Sequence, residues 1–321
     1  MKNGDARPHP PLPRGELPGI APPDPELVPG FELLEPEHLA CPLVFCSPHS
    51  GSVYPRRFLG LTRLDPLMLR RSEDAHVDRL FAAVPAVGAP LLRAHFPRAY
   101  LDVNREAYEL DPRMFDGRLP GYANTLSLRV AGGLGTIARL VGESQEIYTR
   151  RLPVAEAMAR IEGLYKPFHH LLRRTLDRSV THFGACFLVD CHSMPSSAVQ
   201  TDAQGKTGEM KLKSDFIIGD RFGTSCEPFF ADAIEYELRR LGYAVARNKP
   251  YAGGFITEHY GNPLTGWHAA QIEINRALYM DEKTLEPNAH FSQLAQDLGT
   301  LAQFLAEVTM SRLNPRRAAA E

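Results

Sequence analysis

Short apolar runs that alternate with stretches of helical period constrain this chain more than any other feature of its sequence. Residues 43–46 (LVFC), 90–94 (PLLRA), 99–103 (AYLDV), 186–189 (CFLV), 216–218, 243–247 and 270–274 (AQIEI) are each strand-sized. Between them, residues 74–87 (DAHVDRLFAAVPAV), 144–176, 227–241 and 290–312 read as helices. Ser72 is placed to cap the first, Pro153 and Pro167 to kink the second, and Gly242 to end the third. Strands alternating with helices predict an α/β fold with a central, largely parallel sheet covered on both faces. Ligands of such sheets bind beyond the carboxyl ends of the strands. The polar residues gather there: His49, the segment from Asp102 to Arg105, the segment from Asp190 to Ser193, and Glu273.

The ends of the chain read differently. Residues 1–30 are rich in Pro and Gly and poor in apolar side chains, so we expect a disordered or surface-draped leader. Residues 31–312 are expected to form one domain, and residues 313–321 a frayed tail. The formal net charge of −2 offers no basic stripe for a phosphate backbone, which argues against nucleic acid. No apolar run approaches the roughly 18 residues that cross a bilayer, and no secretory signal opens the chain. Five cysteines without paired spacing argue against a disulfide framework, so a cytoplasmic protein with reduced thiols is expected.

His49 follows the run LVFC in SPHSG, and His192 follows CFLV in DCHS. Imidazoles on rigid strand ends suit zinc, and a carboxylate such as Asp190 can fix the tautomer through the second ring nitrogen. A third protein ligand is needed. Asp74 in SEDAHVD is our candidate, with Glu73 and His76 as alternatives. A lone histidine more often caps a turn, and there is no HExxH motif; the case rests on several polar strand ends converging. Glu273 lies between Ile272 and Ile274. Buried there, its pKa would rise toward that of a general base; on an exposed strand face it would simply meet solvent. Asn104 and Arg105 offer a neutral donor and a planar fork suited to a substrate carboxylate, or a structural pair bound to Asp102. Cys191 alternates with His192 and is expected in the core. Ser50 and Ser193 lack a GxSxG elbow, which excludes the usual serine hydrolase.

In order along the chain, SPHSG, SEDAHVDRLF, YLDVNR, LVDCHS, GGFITEHYG and HAAQIEINRALYMDE resemble the N-formylglutamate amidohydrolases, from about residue 40 to residue 283. That family resembles a branch of the zinc carboxypeptidase and aspartoacylase superfamily. The resemblance implies a three-layer α/β/α sandwich with a mixed sheet. It implies one zinc per chain on His49 and His192, Glu273 as catalytic acid and base, and Asn104 with Arg105 gripping a carboxylate. The superfamily places a carboxylate ligand three residues after the first histidine, where this chain has Ser52, so Asp74 is the substitute. Arg129 and Arg139 flank GGLG and are candidates for a second carboxylate or the oxyanion; His259 is another oxyanion donor. Phe255 stands where the family often has His, which leaves the substrate preference open. The implied reaction is hydrolysis of an N-acyl amino acid, such as N-formyl-L-glutamate to formate and L-glutamate. A zinc carboxypeptidase or other deacylase is the alternative chemistry, and a non-catalytic binding protein on the same fold the alternative class.

Overall fold

Six of the seven apolar runs, joined by an edge strand at residues 31–34, pair into one sheet: β1 (Phe31–Leu34), β2 (Leu43–Ser47), β3 (Leu91–Ala94), β4 (Cys186–Met194), β5 (Phe216–Gly219), β6 (Val245–Arg247) and β7 (Trp267–Asn275). The computed structural model describes residues 24–141, 145–199 and 214–313. The spatial order is β1-β3-β2-β4-β7-β5-β6. Only β1 against β3 and β5 against β7 run antiparallel; the other neighbours are parallel. This is a mixed, largely parallel sheet.

Both faces are covered, because the strands alternate apolar residues in both directions. Phe45, Val189, Cys191, Ile218, Ile272 and Ile274 share a core with α4 (Pro228–Arg240), α6 (Phe291–Leu313) and the short α1 (Val77–Leu80). Val44, Cys46, Leu92 and Leu188 share the other core with α2 (Val154–Arg160) and α3 (Lys166–Phe183). The result is a three-layer α/β/α sandwich, and Cys191 lies in the core as expected. The register of β7 follows from this packing. A one-residue slip would turn Ile272 and Ile274 out of a core where each contributes about 1.5–3 kcal/mol.

Several boundaries differ from the sequence reading. Residues 99–103 form turns and not a strand: Tyr100 N and Leu101 N both bond to Pro97 O, and Asp102 N bonds to Thr136 O. The helix read over 74–87 begins only at Val77, after His76 in the left-handed region at φ 66°, and gives way to a 3-10 turn at Val84–Val87 that contains Pro85. The expected helix start at residue 144 lies outside the described residues. The helix begins at Val154, after Pro153. Pro167 then falls just after a π turn at Ile161–Tyr165, where Lys166 N bonds to Ile161 O. The missing amide of Pro167 and the wider turn coincide, the sort of local cause expected for a π-bulge. Strand β1 and helix α5 (Phe255–Tyr260) were not legible as elements.

Most of the leader and residues 314–321 of the tail lie outside the described residues; Leu313, where the tail was expected to begin, ends α6. Residues 24–30 belong to the packed body, since Leu27 is fully buried. Among the described residues no helix is long and apolar enough to cross a membrane.

Candidate metal and active site

The site starts from two parallel neighbours. β4 and β7 pair so that His192 stands beside Glu273 and Asp190 beside Gln271. Alternation sends these four side chains to the face opposite Cys191 and Ile272. That face is covered, so Glu273 is buried and does not look into open solvent.

His49 reaches the same place from the turn after β2. Gly51 allows that turn to lie against the next segment, since a Cβ there would overlap the carbonyl oxygen of Phe96. His49 Nε2 is 2.7 Å from Asp102 Oδ1. Its Nδ1 is buried, has no hydrogen-bond partner, and lies 3.4 Å from Asp74 Oδ2. His192 mirrors this arrangement, with Nδ1 2.9 Å from the same Asp74 oxygen and Nε2 2.9 Å from Asp190 Oδ1. Asp74 is fixed by its own N–H, which donates to His49 O at 3.0 Å. The other two candidates for third ligand face elsewhere. Glu73 binds Arg70 and Tyr54, and the left-handed backbone of His76 accompanies a ring bonded to Leu285 O.

Three donors, one each from His49, Asp74 and His192, lie within 4.8 Å of one another. Each histidine has its far nitrogen beside a carboxylate, the arrangement that fixes the ring of a metal ligand. The orphaned His49 Nδ1 gains a partner if a cation sits among the three. Two imidazoles and one carboxylate match a three-residue catalytic zinc donor set. The residues present fit that metal.

Burial alone would raise the Asp74 carboxyl, but the facing His192 and His49 outweigh it and hold it well below the usual range. Burial opposes charge on His192, and Asp190 and Asp74 overcome it, so that imidazole is pushed well above its ordinary value. Glu273 is raised to about 7, mainly by burial, with nearby His192 opposing and Asp74 adding to the rise. Its Oε1 accepts from Gln271 Nε2 at 2.8 Å, and Gln271 Oε1 in turn accepts from Gly254 N at 2.8 Å. Glu273 Oε2 is left without a hydrogen bond among the described residues.

The remaining sequence candidates are more dispersed. Asn104 is turned inward: Oδ1 accepts from Ile256 N at 2.7 Å, and Nδ2 stands 3.1 Å from His192 Nε2. Arg105 donates Nε to Leu134 O and Nη1 to Asn104 O, which leaves Nη2 as its open corner. Arg129 is partly exposed, 3.6 Å from Glu109, and its charge reaches Arg105. Arg139 is held by Asp111. His259 sits on the exposed side of α5, its ring stacked on Phe255 and edge-on to Tyr260. Sequence reasoning missed Arg98, whose Nε donates to Asp102 Oδ2 at 2.9 Å and whose charge is felt at Asp74 and Glu273. It also missed Gln271 and Arg276. Gln271 and Arg276 lie within the HAAQIEINRALYMDE stretch, which gave neither of them a role, and Arg98 lies in none of the quoted motifs.

A family model described as N-formylglutamate amidohydrolase matches residues 41–280. The N-formylglutamate deformylase of Pseudomonas putida is 29% identical over 276 residues, covering 84% of this chain and 92% of that one. Its Pseudomonas aeruginosa counterpart is 28% identical over 271 residues, covering 83% and 91%. The crystal structure of N-formylglutamate amidohydrolase from Ralstonia eutropha JMP134 superposes with a TM-score of 0.81 at 41% identity, covering 87% of this chain and 98% of that one. A gene product of Agrobacterium tumefaciens, at 17% identity and a TM-score of 0.60, shares the fold. The family model spans residues 41–280, most of the chain and including both histidines, Asp74 and Glu273, so the chain belongs to the N-formylglutamate amidohydrolase family and is a hydrolase of amide bonds.

Proposed function

We propose that this protein is a zinc-dependent amidohydrolase that cleaves N-formyl-L-glutamate, or a close N-acyl amino acid, to formate and L-glutamate. One observation carries the reading: the three-donor cluster lies beside a buried glutamate held in register with His192. His49, Asp74 and His192 would hold one zinc per chain, which would supply Lewis-acid activation of water and of the acyl carbonyl.

The chain's own residues do the rest. Glu273 Oε2 takes a proton from the attacking water and returns it to the departing amine nitrogen, while Gln271 holds Oε1 still. A carboxyl raised to about 7 is well matched to both transfers. Arg98 presents positive charge beside Glu273 and Asp74, where the acyl oxygen gains charge. We assign the oxyanion role to it in place of His259, which lies on the exposed side of α5. Arg105, through Nη2, and Arg129 anchor the substrate carboxylates. Asn104 positions His192 and the start of α5, because its amide is already engaged there. Gly254 allows that contact, as a Cβ there would overlap the Asn104 side chain.

The reading treats residues 31–312 as one domain, supported by the seven-stranded sheet that joins strands from residue 31 to residue 275 and by the packing of α6 on it. It places the protein in the cytoplasm, supported by five free, buried cysteines. Formate release by the purified protein tests it. Zinc-loaded protein is expected to act on N-formyl-L-glutamate faster than on N-formylglycine or N-acetyl-L-glutamate, and chelation is expected to abolish turnover. No formate from any N-formyl amino acid would overturn the assignment.

A further inference from the structure

Arg276 takes no part in the proton transfers, yet its guanidinium is buried and engaged on every side. Asn275 ends β7 and caps the 3-10 turn Arg276–Leu278 by accepting from Ala277 N. Arg276 Nε donates to Ser193 Oγ at 3.1 Å, Nη1 to Arg71 O at 3.1 Å, and Nη2 to Asp74 Oδ1 at 3.0 Å. One side chain thus ties together the end of β4, the end of β7 and the turn before α1.

Asp74 needs such a tie more than its partners do. His192 leaves a rigid strand, and His49 is braced by Asp102. Asp74 sits in a turn, and its terminal torsion is soft, so either oxygen can face the cluster. Arg276 occupies Oδ1. Oδ2 alone then faces His192 Nδ1 and His49 Nδ1.

We infer that Arg276 is a positioning residue for the metal: it clamps Asp74 as a one-oxygen donor and so raises the affinity of the site for zinc. Its positive charge works against this by repelling a cation. That charge is already neutralised by Asp74 and dispersed over the carbonyl of Arg71 and the hydroxyl of Ser193. Without the clamp, Asp74 Oδ1 would be a buried carboxylate oxygen lacking its partner, a costly arrangement that rotation or protonation would relieve. Pre-organisation therefore dominates.

The inference rests on His49, Asp74 and His192 being the ligands, and the test separates the two. Zinc affinity is measured by chelator competition on the full chain as wild type, Arg276→Lys, Arg276→Gln and His192→Ala. Circular dichroism of each metal-free protein checks the fold. Both Arg276 variants are expected to bind zinc about 10- to 100-fold more weakly, the usual loss when an outer partner of a ligand is removed. Lys is included because one ammonium cannot reproduce the fork. Wild-type or tighter affinity in both Arg276 variants, with affinity lost in His192→Ala, overturns the clamp and leaves the ligand set standing. Wild-type affinity in His192→Ala overturns the ligand set and the clamp together. If the Arg276 variants do not fold, a crystal structure of the zinc-loaded wild type decides. Asp74 on zinc through Oδ2, with Oδ1 on Arg276, is the expected result; both oxygens on zinc, or Arg276 turned away, overturns the inference.

Discussion

At the scale of single residues, the proposed site would divide labour between two carboxylates, Asp74 and Glu273, held in different surroundings. Asp74 faces two imidazoles and is held ionised, whereas burial raises Glu273 to about 7. The first is suited to a cation and the second to a proton. Glu273→Gln keeps the shape and the contact with Gln271 but cannot accept a proton. We expect zinc and substrate still to bind, with kcat reduced by at least ~100-fold, the usual loss when a general base is removed. Asp74→Asn is expected to lose zinc instead; metal analysis and steady-state kinetics on the two variants check both outcomes. The opposite pattern would exchange the two roles. The histidines and Glu273 were legible because each follows or interrupts an apolar run. Asp74 was preferred over Glu73 and His76 as the carboxylate at the expected helix start; in the fold Glu73 is taken up by Arg70 and Tyr54, and His76 by Leu285 O. Arg98, Gln271 and Arg276 were not legible, because a lone polar residue acquires its meaning only from what folds against it.

Among the elements, α3 does more than cover the sheet. The π turn that precedes it places Tyr165 so that its hydroxyl donates to Arg105 O at 2.6 Å. One turn further on, His169 bridges Val103 O at 2.8 Å and the Tyr260 hydroxyl at 2.9 Å. This helix therefore braces the turn that carries Asn104 and Arg105 against α5. His169 is buried, and desolvation lowers its pKa from 6.5 to about 3. Between those values the unfolded chain binds a proton that the folded chain refuses, so stability falls as the pH drops. From pH 6.5 to about pH 5 the loss from this residue is about 2 kcal/mol. Thermal unfolding across that range should be steeper with pH in the wild type than in His169→Gln; parallel curves would contradict the assignment. The sequence marked this helix but placed its start too early. It also read residues 99–103 as a strand, because AYLDV has a strand's composition while Pro97 supplies the turn that the chain adopts.

For the whole molecule, the alternation of strands and helices was enough to give a covered, largely parallel sheet, and family resemblance supplied the three layers. Local pattern did not reveal that β1 returns antiparallel on one edge, or that β7 runs between β4 and a reversed β5. Those pairings join segments far apart in the chain. They matter because the β4–β7 register sets Glu273 beside His192, with His49 arriving from β2 on the other flank of β4. The fold thus assembles from distant segments a site whose pieces were visible separately. The most direct test pairs zinc content by mass spectrometry with formate release from N-formyl-L-glutamate, in the wild type and in His192→Ala. The wild type is predicted to carry zinc and release formate, and His192→Ala to lose both while keeping its circular dichroism. Full zinc occupancy in His192→Ala, or formate release that persists without zinc, would contradict the account.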